Sequence, residues 1–545
     1  MKLTTILTGL ILGLMILSCS PESRDNPKPP IITDTSVFYL SVDGNDNNSG
    51  NSPDEAWRTI AQLNKVDFKP GSQIFLEGGE VFEGNLAFNE KDGNDETKPI
   101  VITSYGSGKA SIKADNGFGI YAYNTAGFVI SNLIIQGSGK TTNDNSGINF
   151  YNDLSGDIKL SGITISDCEV SGFKDYGIVI GAWNGNSGFK DVIIANNKVY
   201  DILDTGIASY GFFSSTKTGY AHSNIEVKNC EVFDISGYDK PQHSGNGIVL
   251  SDVQNSVIEH STVYDSGYNN TNCGGPVGIW YWDSDTVTIQ NCEVYNMSSG
   301  TGCDGGGFDM DGGVTNGIMQ YNYSHDNDGA GFMIGQFEGA RAMNNITVRY
   351  NISENDAATN GGSVYIFNGD TGLDDIFVYN NTLYISEQST NTNAAAIKLL
   401  KWKLIEGNIR FSNNILYTSN GADAVMVPAG YSASLTGNLY YSSSNLNIDY
   451  QGANYQTLEA FRATGNEVIE EMPSGYQGDP LLKDPGAGQT IGFGNTLDQL
   501  DAYKLENNSP AIDAGINITG SIGDSDFYGN PPLKNSRQNI GAHEI

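Results

Sequence analysis

Basic residues are scarce in this chain. Lys and Arg number 29 against 63 Asp and Glu, for a net charge of −34, so the Lys/Arg footprint that nucleic acid requires is missing. An anionic glycan is disfavoured by the same imbalance, although bound cations or local basic residues can offset it. Charged residues make up only 17% of the sequence and Pro occupies 16 positions, whereas Gly fills 67 and Tyr 29. Such a mixture leaves few helix-favouring stretches and supports turns and aromatic or β-branched strands. The 6 cysteines and 5 histidines include no CxxC spacing of the kind that holds zinc. There is no nucleotide-binding loop, no Ser/His/Asp signature and no apolar run long enough to span a bilayer.

What is present begins with an export signal. Lys2 is followed by the apolar run Leu10 to Leu17, too short to cross a membrane, and residues 1–18 read as a signal peptide. Ser18 and Cys19 sit as in a lipobox, which makes Cys19 the expected site of acylation. Ser20, where a retained lipoprotein would carry Asp, favours sorting to an outer membrane. The expectation is an exported protein, lipid-anchored to the outer membrane or cell surface, with no other membrane contact. Residues 19–36, rich in Pro and polar side chains, read as a flexible tether, and residues 37–545 as one domain.

That domain repeats. Nine six-residue windows start at Ile165, Ile194, Val227, Ile258, Ile289, Met319, Val348, Val378 and Phe411. Their fourth residues are Cys168, Asn197, Cys230, Ser261, Cys292, Asn322, Asn351, Asn381 and Asn414, spaced by 29 to 33 residues. Apolar positions alternate with period two and Gly and Asn punctuate each unit, which no helical repeat does. Short strands coiled and stacked at about 4.8 Å would place the fourth residues in one buried column, where Asn side chains answer turn carbonyls and amides.

These windows resemble the right-handed parallel β-helix superfamily of pectate lyases, polygalacturonases and their relatives. Phe38 to Glu83, with Tyr39, Trp57 and Pro70 to Gly79, is similar to the N-terminal opening coil of extracellular members. Ser509 to Gly515 and Asp526 to Glu544 are similar to their closing segment. The resemblance implies an all-β, single-stranded right-handed β-helix with about 30 residues per coil. It leaves the reaction open, because the fold hosts hydrolases, lyases, epimerases and inert adhesins.

Chemistry is expected on the strands that follow each window, most of them opened by Gly: Gly177, Gly206, Gly247, Gly278, Gly307, Gly331 and then Ser363. Their second and fourth residues are almost all apolar and point inward, so third and fifth residues face out. The outward pairs include Trp280 with Trp282, Asp309 with Asp311, and Tyr365 with Phe367. Aromatic faces thus flank one pair of carboxylates. Asp304 and Asp328 fall three residues before Gly307 and Gly331, side by side on adjacent coils. His325 is in the same stretch, and His243 lies in the corresponding loop two coils earlier. Carboxylates this crowded cannot all ionise at their free pKa.

Glycoside hydrolysis uses such a set, one carboxylic acid and one carboxylate. The leading expectation is therefore an extracellular polysaccharide-degrading glycoside hydrolase with Asp309 and Asp311 as the acid/base pair. Asp304, Asp328 and His325 support them, and Trp280, Trp282, Tyr365 and His243 bind substrate. The polygalacturonase motifs Asn-Thr-Asp, Gly-His-Gly and Arg-Ile-Lys are absent. The alternatives are a uronic-acid lyase or epimerase, for which Arg341 and Arg349 are the nearest bases in sequence, and a non-catalytic glycan-binding surface protein. No cofactor is required, and turn formation or Ca2+ held through oxygen ligands is the other reading of the Asp cluster. The protein is expected to act as a monomer on a polysaccharide or complex glycan. Cys273 and Cys303 lie at comparable offsets in consecutive loops, consistent with a disulfide or with two free thiols.

Overall fold

The computed structural model describes residues 36–545 apart from 370–371, 388, 390, 402–406, 493, 519, 521 and 534–536. The signal peptide, Cys19 and nearly all of the tether lie outside the described residues.

Each coil contributes three strands, as in Lys159–Ser166, Glu169–Phe173 and Tyr176–Ala182. Each pairs in parallel with its counterpart one coil on: Ile163 with Val192, Val170 with Val199, and Ile178 with Ile207. The strand carrying the window and the strand bearing the outward pairs belong to one sheet of 26 strands, and the third face forms a sheet of 14. The two faces merge because Asn246–Glu259 and Val277–Gln290 run unbroken round the corner between them.

The window sequence explains the other corner. In all nine windows the third residue, from Asp167 to Asn413, has φ between 50° and 59°. Asn and Asp tolerate this left-handed conformation better than most side chains, and they fill six of the nine places. The next residue then turns inward. All nine column residues are at most 2% exposed, and they bond from coil to coil. Asn351 Oδ1 accepts from Asn322 N at 2.9 Å, Asn381 Oδ1 from Asn351 N at 3.0 Å and Asn414 Oδ1 from Asn381 N at 3.0 Å. The column continues one step beyond the windows, to Asn438, whose amide donates to the buried Glu467 at 2.8 Å. Cys168, Cys230 and Cys292 are buried free thiols in this column.

The ends are closed. Phe38, Trp57, Ile60, Leu63 and Phe68 pack over the first coil, with Thr59 capping the short helix Ile60–Leu63 by accepting from Gln62 N. At the other end the chain doubles back as a strap along the smaller sheet. Leu497, Leu500, Tyr503, Phe527 and Ile540 pack on Tyr323, Ile352, Tyr384, Ile415 and Leu439, each large side chain contributing roughly 1.5–3 kcal/mol. Thr262 donates to Gly492 O at 3.0 Å, Glu293 accepts from the amides of Ile491 and Gly492, and Asn413 donates to Ile516 O at 2.9 Å.

Candidate active site

The Asp-bearing strand Gly306–Asp311 lies in the larger sheet between a tryptophan strand and an aliphatic one. Trp280 pairs with Asp309, which pairs with Met333, then Tyr365, then Lys398. Trp282 pairs with Asp311 in the parallel file. Phe308 and Met310 are fully buried in the core, so alternation turns both Asp side chains away from it.

A cavity of about 730 Å³ opens over these files, walled by His243, Trp280, Trp282, Asp304, Asp311 and Tyr365, with Phe337, Phe367, Asn360 and Lys398. Cys273 and Cys303, also in its wall, are joined as a disulfide. Of the carboxyls, Asp304 and Asp311 line this space, and Asp309 lies sealed beside it at 2% exposure. Asp309 Oδ1 is buried without a hydrogen-bond partner. Burial pushes its carboxyl well above the usual carboxylate range, and the charges of Asp311 and Asp304 push the same way.

Asp311 accepts from its neighbour Gly312 N at 2.8 Å, and burial raises its pKa to about 6 with a contribution from Asp304. It has room because residue 335 is glycine. A Cβ there would stand 2.7 Å from Asp311 Oδ1 and 2.2 Å from Phe367 Cζ. Asp304 comes from the loop before the strand, at φ 61°. Its Oδ2 accepts from Gly274 N at 3.0 Å; burial raises its pKa, and the backbone amides of Gly275 and Gly274 counter that rise. Asp304 therefore has two backbone amides favouring its charged form, whereas for Asp309 the Met310 amide is outweighed by burial and two like charges.

His243 stands edge-on to Trp280, ring centroids 5.1 Å apart. Asn246 donates its amide to His243 Nδ1 at 2.9 Å while its own oxygen takes Val277 N. Burial lowers the imidazole to about 4, so it is neutral with its proton on Nε2. Trp282 is partly exposed and packs on Phe213 and Phe337. Trp280 is 3% exposed, inside a cluster with Val249, Val277, Ala330 and Met333. Both indoles thus wall the cavity, but Trp280 also carries the packing role.

Two expected members are elsewhere. His325 lies on the smaller sheet, stacked between Tyr295 and Tyr323, with Nε2 to Glu293 at 3.3 Å and Nδ1 to Asp326 at 3.0 Å. It follows the corner residue Tyr321, so its strand turns to the third face. Asp328 is a neighbour of Asp304 along the backbone, as Gly329 N bonds to Gly305 O. Its carboxylate turns the other way, onto Ser299 N at 2.9 Å and Ser298 Oγ at 3.1 Å. It closes a turn. Arg341 is bonded to Asp283, and Arg349 to Gln320 and Tyr379.

Lys398 is the cation that sequence reasoning missed. Its strand, Ala395–Lys401, opens with Ala in place of Gly, so the strand series read from the sequence stops at Ser363. The order Ile397, Lys398, Leu399 nonetheless repeats Val364, Tyr365, Ile366. Lys398 Nζ donates to Asn393 O at 2.9 Å, and burial lowers its pKa. Among the described residues no group of three or more His, Cys, Asp or Glu is arranged to hold a metal ion.

A family model described as the right handed beta helix region matches residues 73–294 and 220–394. The chain belongs to the right-handed β-helix family. A lacto-N-biosidase of Bifidobacterium longum subsp. longum is 24% identical over 94% of this chain, which spans only 36% of that relative's length. Among solved structures, GH136 lacto-N-biosidase from Eubacterium ramulus is 19% identical, covers 68% of this chain and 67% of its own, and has a TM-score of 0.49. Pectate lyase Pel9A is 14% identical over 94% of this chain and 97% of its own, with a TM-score of 0.44.

Proposed function

We propose that this β-helix protein is a glycoside hydrolase acting on extracellular glycans, with Asp304 and Asp311 as its carboxyl pair. The observation that carries this reading is that both line one aromatic-walled cavity while their environments differ. Asp311, raised to about 6, is the group suited to hold a proton and deliver it to the glycosidic oxygen. Asp304, with backbone amides on its carboxylate, is the group suited to activate water or attack the anomeric carbon. Asp309 stays protonated beside them and keeps a further negative charge out of the site. The relative named lacto-N-biosidase supports a glycosidic reaction. The test is release of new reducing ends from a panel of polysaccharides and from nitrophenyl mono- and disaccharides, abolished in Asp304→Asn and Asp311→Asn. Binding without release by the wild type leaves a glycan-binding protein.

A second reading, a uronic-acid lyase, is favoured by Lys398, whose lowered pKa suits a base in the same cavity. In that case the same incubation yields ultraviolet absorbance from unsaturated ends, and Lys398→Met abolishes it.

A further inference from the structure

The carboxyl cavity does not account for the aromatic rings that precede it on the same face. A second cavity of about 480 Å³ shares His243 and Trp282 with the first and is walled by Tyr176, Trp183, Tyr210 and Phe213. Beyond it the register runs from Tyr210 to Gly181, to Tyr151 and to Tyr123. Tyr151 and Tyr123 lie near-parallel with centroids 6.2 Å apart. Six steps of roughly 4.8 Å separate Tyr123 from Asp311, about 29 Å in all.

The rings lie so that they present surface to solvent. A Cβ at Gly181 would stand 2.4 Å from Tyr210 Cζ, so the Tyr210 ring rests over that glycine, as Phe367 does over Gly335. Trp183 is 54% exposed and meets Tyr210 edge-on at 6.4 Å. A stripe of exposed aromatic surface is costly in water unless something covers it, and sugar rings stack on such faces.

The charges choose the chain that covers it. Among the described residues lining the two cavities, Lys240 is paired with Asp204 and Lys398 is bonded to a backbone carbonyl. Lys398 is then the one cation among them not paired with a carboxylate, and Asp304 and Asp311 stand in the same cavity, so the track has no surplus of positive charge for a run of uronates. We infer that this face is a binding track for a neutral polysaccharide, which lies along the rings from Tyr123 to Trp282 and ends in the carboxyl cavity. This rests on the hydrolase reading for the fate of the chain and adds its class and length.

The test is electrophoresis of the full chain, as Asp311→Asn to prevent cleavage, through gels containing xylan, mannan or galactan, with polygalacturonate as the anionic counterpart. Calorimetry then compares a disaccharide and a hexasaccharide of the retarding polymer. A neutral polymer should retard the protein, and Trp183→Ala should weaken hexasaccharide binding about tenfold while leaving the disaccharide and the melting temperature unchanged. Gly181→Ala, which removes no ring but lifts Tyr210, should weaken the hexasaccharide likewise. Equal losses on both lengths, unaltered binding in both variants, or retardation by polygalacturonate alone or by nothing would overturn the track. Absence of new reducing ends from the retarding polymer with the wild type, with Trp183-dependent retardation intact, would overturn the hydrolase reading and leave the track standing.

Discussion

Trp280 and Asp309 face each other across adjacent strands, and each buries a polar atom, Nε1 and Oδ1, with no hydrogen-bond partner in the protein. Unpaired buried groups are expensive, and two of them in register beside a cavity mark a site held at the expense of stability. Asp309 has a raised pKa in the fold, so above its unfolded value of about 3.9 folding must take up a proton. Its stability contribution therefore worsens as pH rises from there toward the folded value. Asp309→Asn should raise the melting temperature, by more at pH 7 than at pH 4. Thermal melts at the two pH values check this; a variant that melts lower at both would mean that the buried carboxyl is well accommodated.

Turnover should depend on the two carboxyls that reach the cavity. Asp304→Asn and Asp311→Asn are each expected to slow hydrolysis about 10²- to 10⁴-fold with no fall in melting temperature. Asp328→Asn should instead leave turnover near normal and lower the melting temperature, because its carboxylate holds the turn at Ser298 and Ser299. Steady-state rates on one cleaved substrate, set beside melts, separate the two kinds of residue.

The pH profile of kcat/KM follows from the same pair. Asp311 must carry a proton and titrates at about 6, so activity should fall as pH rises through that value. Asp304 must be ionised, which sets the acidic limb. In Asp311→Glu the basic limb should move, whereas Lys398→Met should leave it in place; a limb that moves with Lys398 instead points to the lyase.

His325 governs alkaline stability. Burial alone would lower its pKa, but the hydrogen bonds its ring donates to Asp326 and Glu293 hold it at about 9. A histidine raised above its ordinary 6.5 contributes stability fully below that value and loses it as pH rises through about 9. The gap in melting temperature between wild type and His325→Gln should be widest near pH 6 and close above pH 9.

The Asn column is the last target. Asn322→Leu removes an acceptor from Cys292 N and a donor to Ile289 O, at a cost of about 1–3 kcal/mol. Denaturant unfolding measures it, and Asn351→Leu should match it in size.

Much of the fold was legible because its determinants are local and repeated. A residue such as Asn414 announces its place by recurring at a fixed interval, and Asn413 before it supplies the left-handed corner. Asp309 and Asp311 were legible as outward residues by alternation alone. Their difference was not, since Asp309 lies between the buried Trp280 and Met333 while Gly335 makes room for Asp311, and alternation along one strand carries no information about its neighbours. His325 misled for a related reason: nearness in sequence to the Asp strand was read as nearness in space, yet a corner lies between them. Lys398 was hidden by one Ala standing where the pattern has Gly.

The returning strap changes how the molecule can come apart. A stack of like coils held only by nearest neighbours would peel from either end, one coil at a time. Here the last part of the chain is stitched to coils as far apart as those of Thr262 and Asn413. Pulling the C-terminus loads several coils in shear rather than unzipping one, and a protease that cuts the strap's attachment near Gly492 would set the terminal coils free to fray.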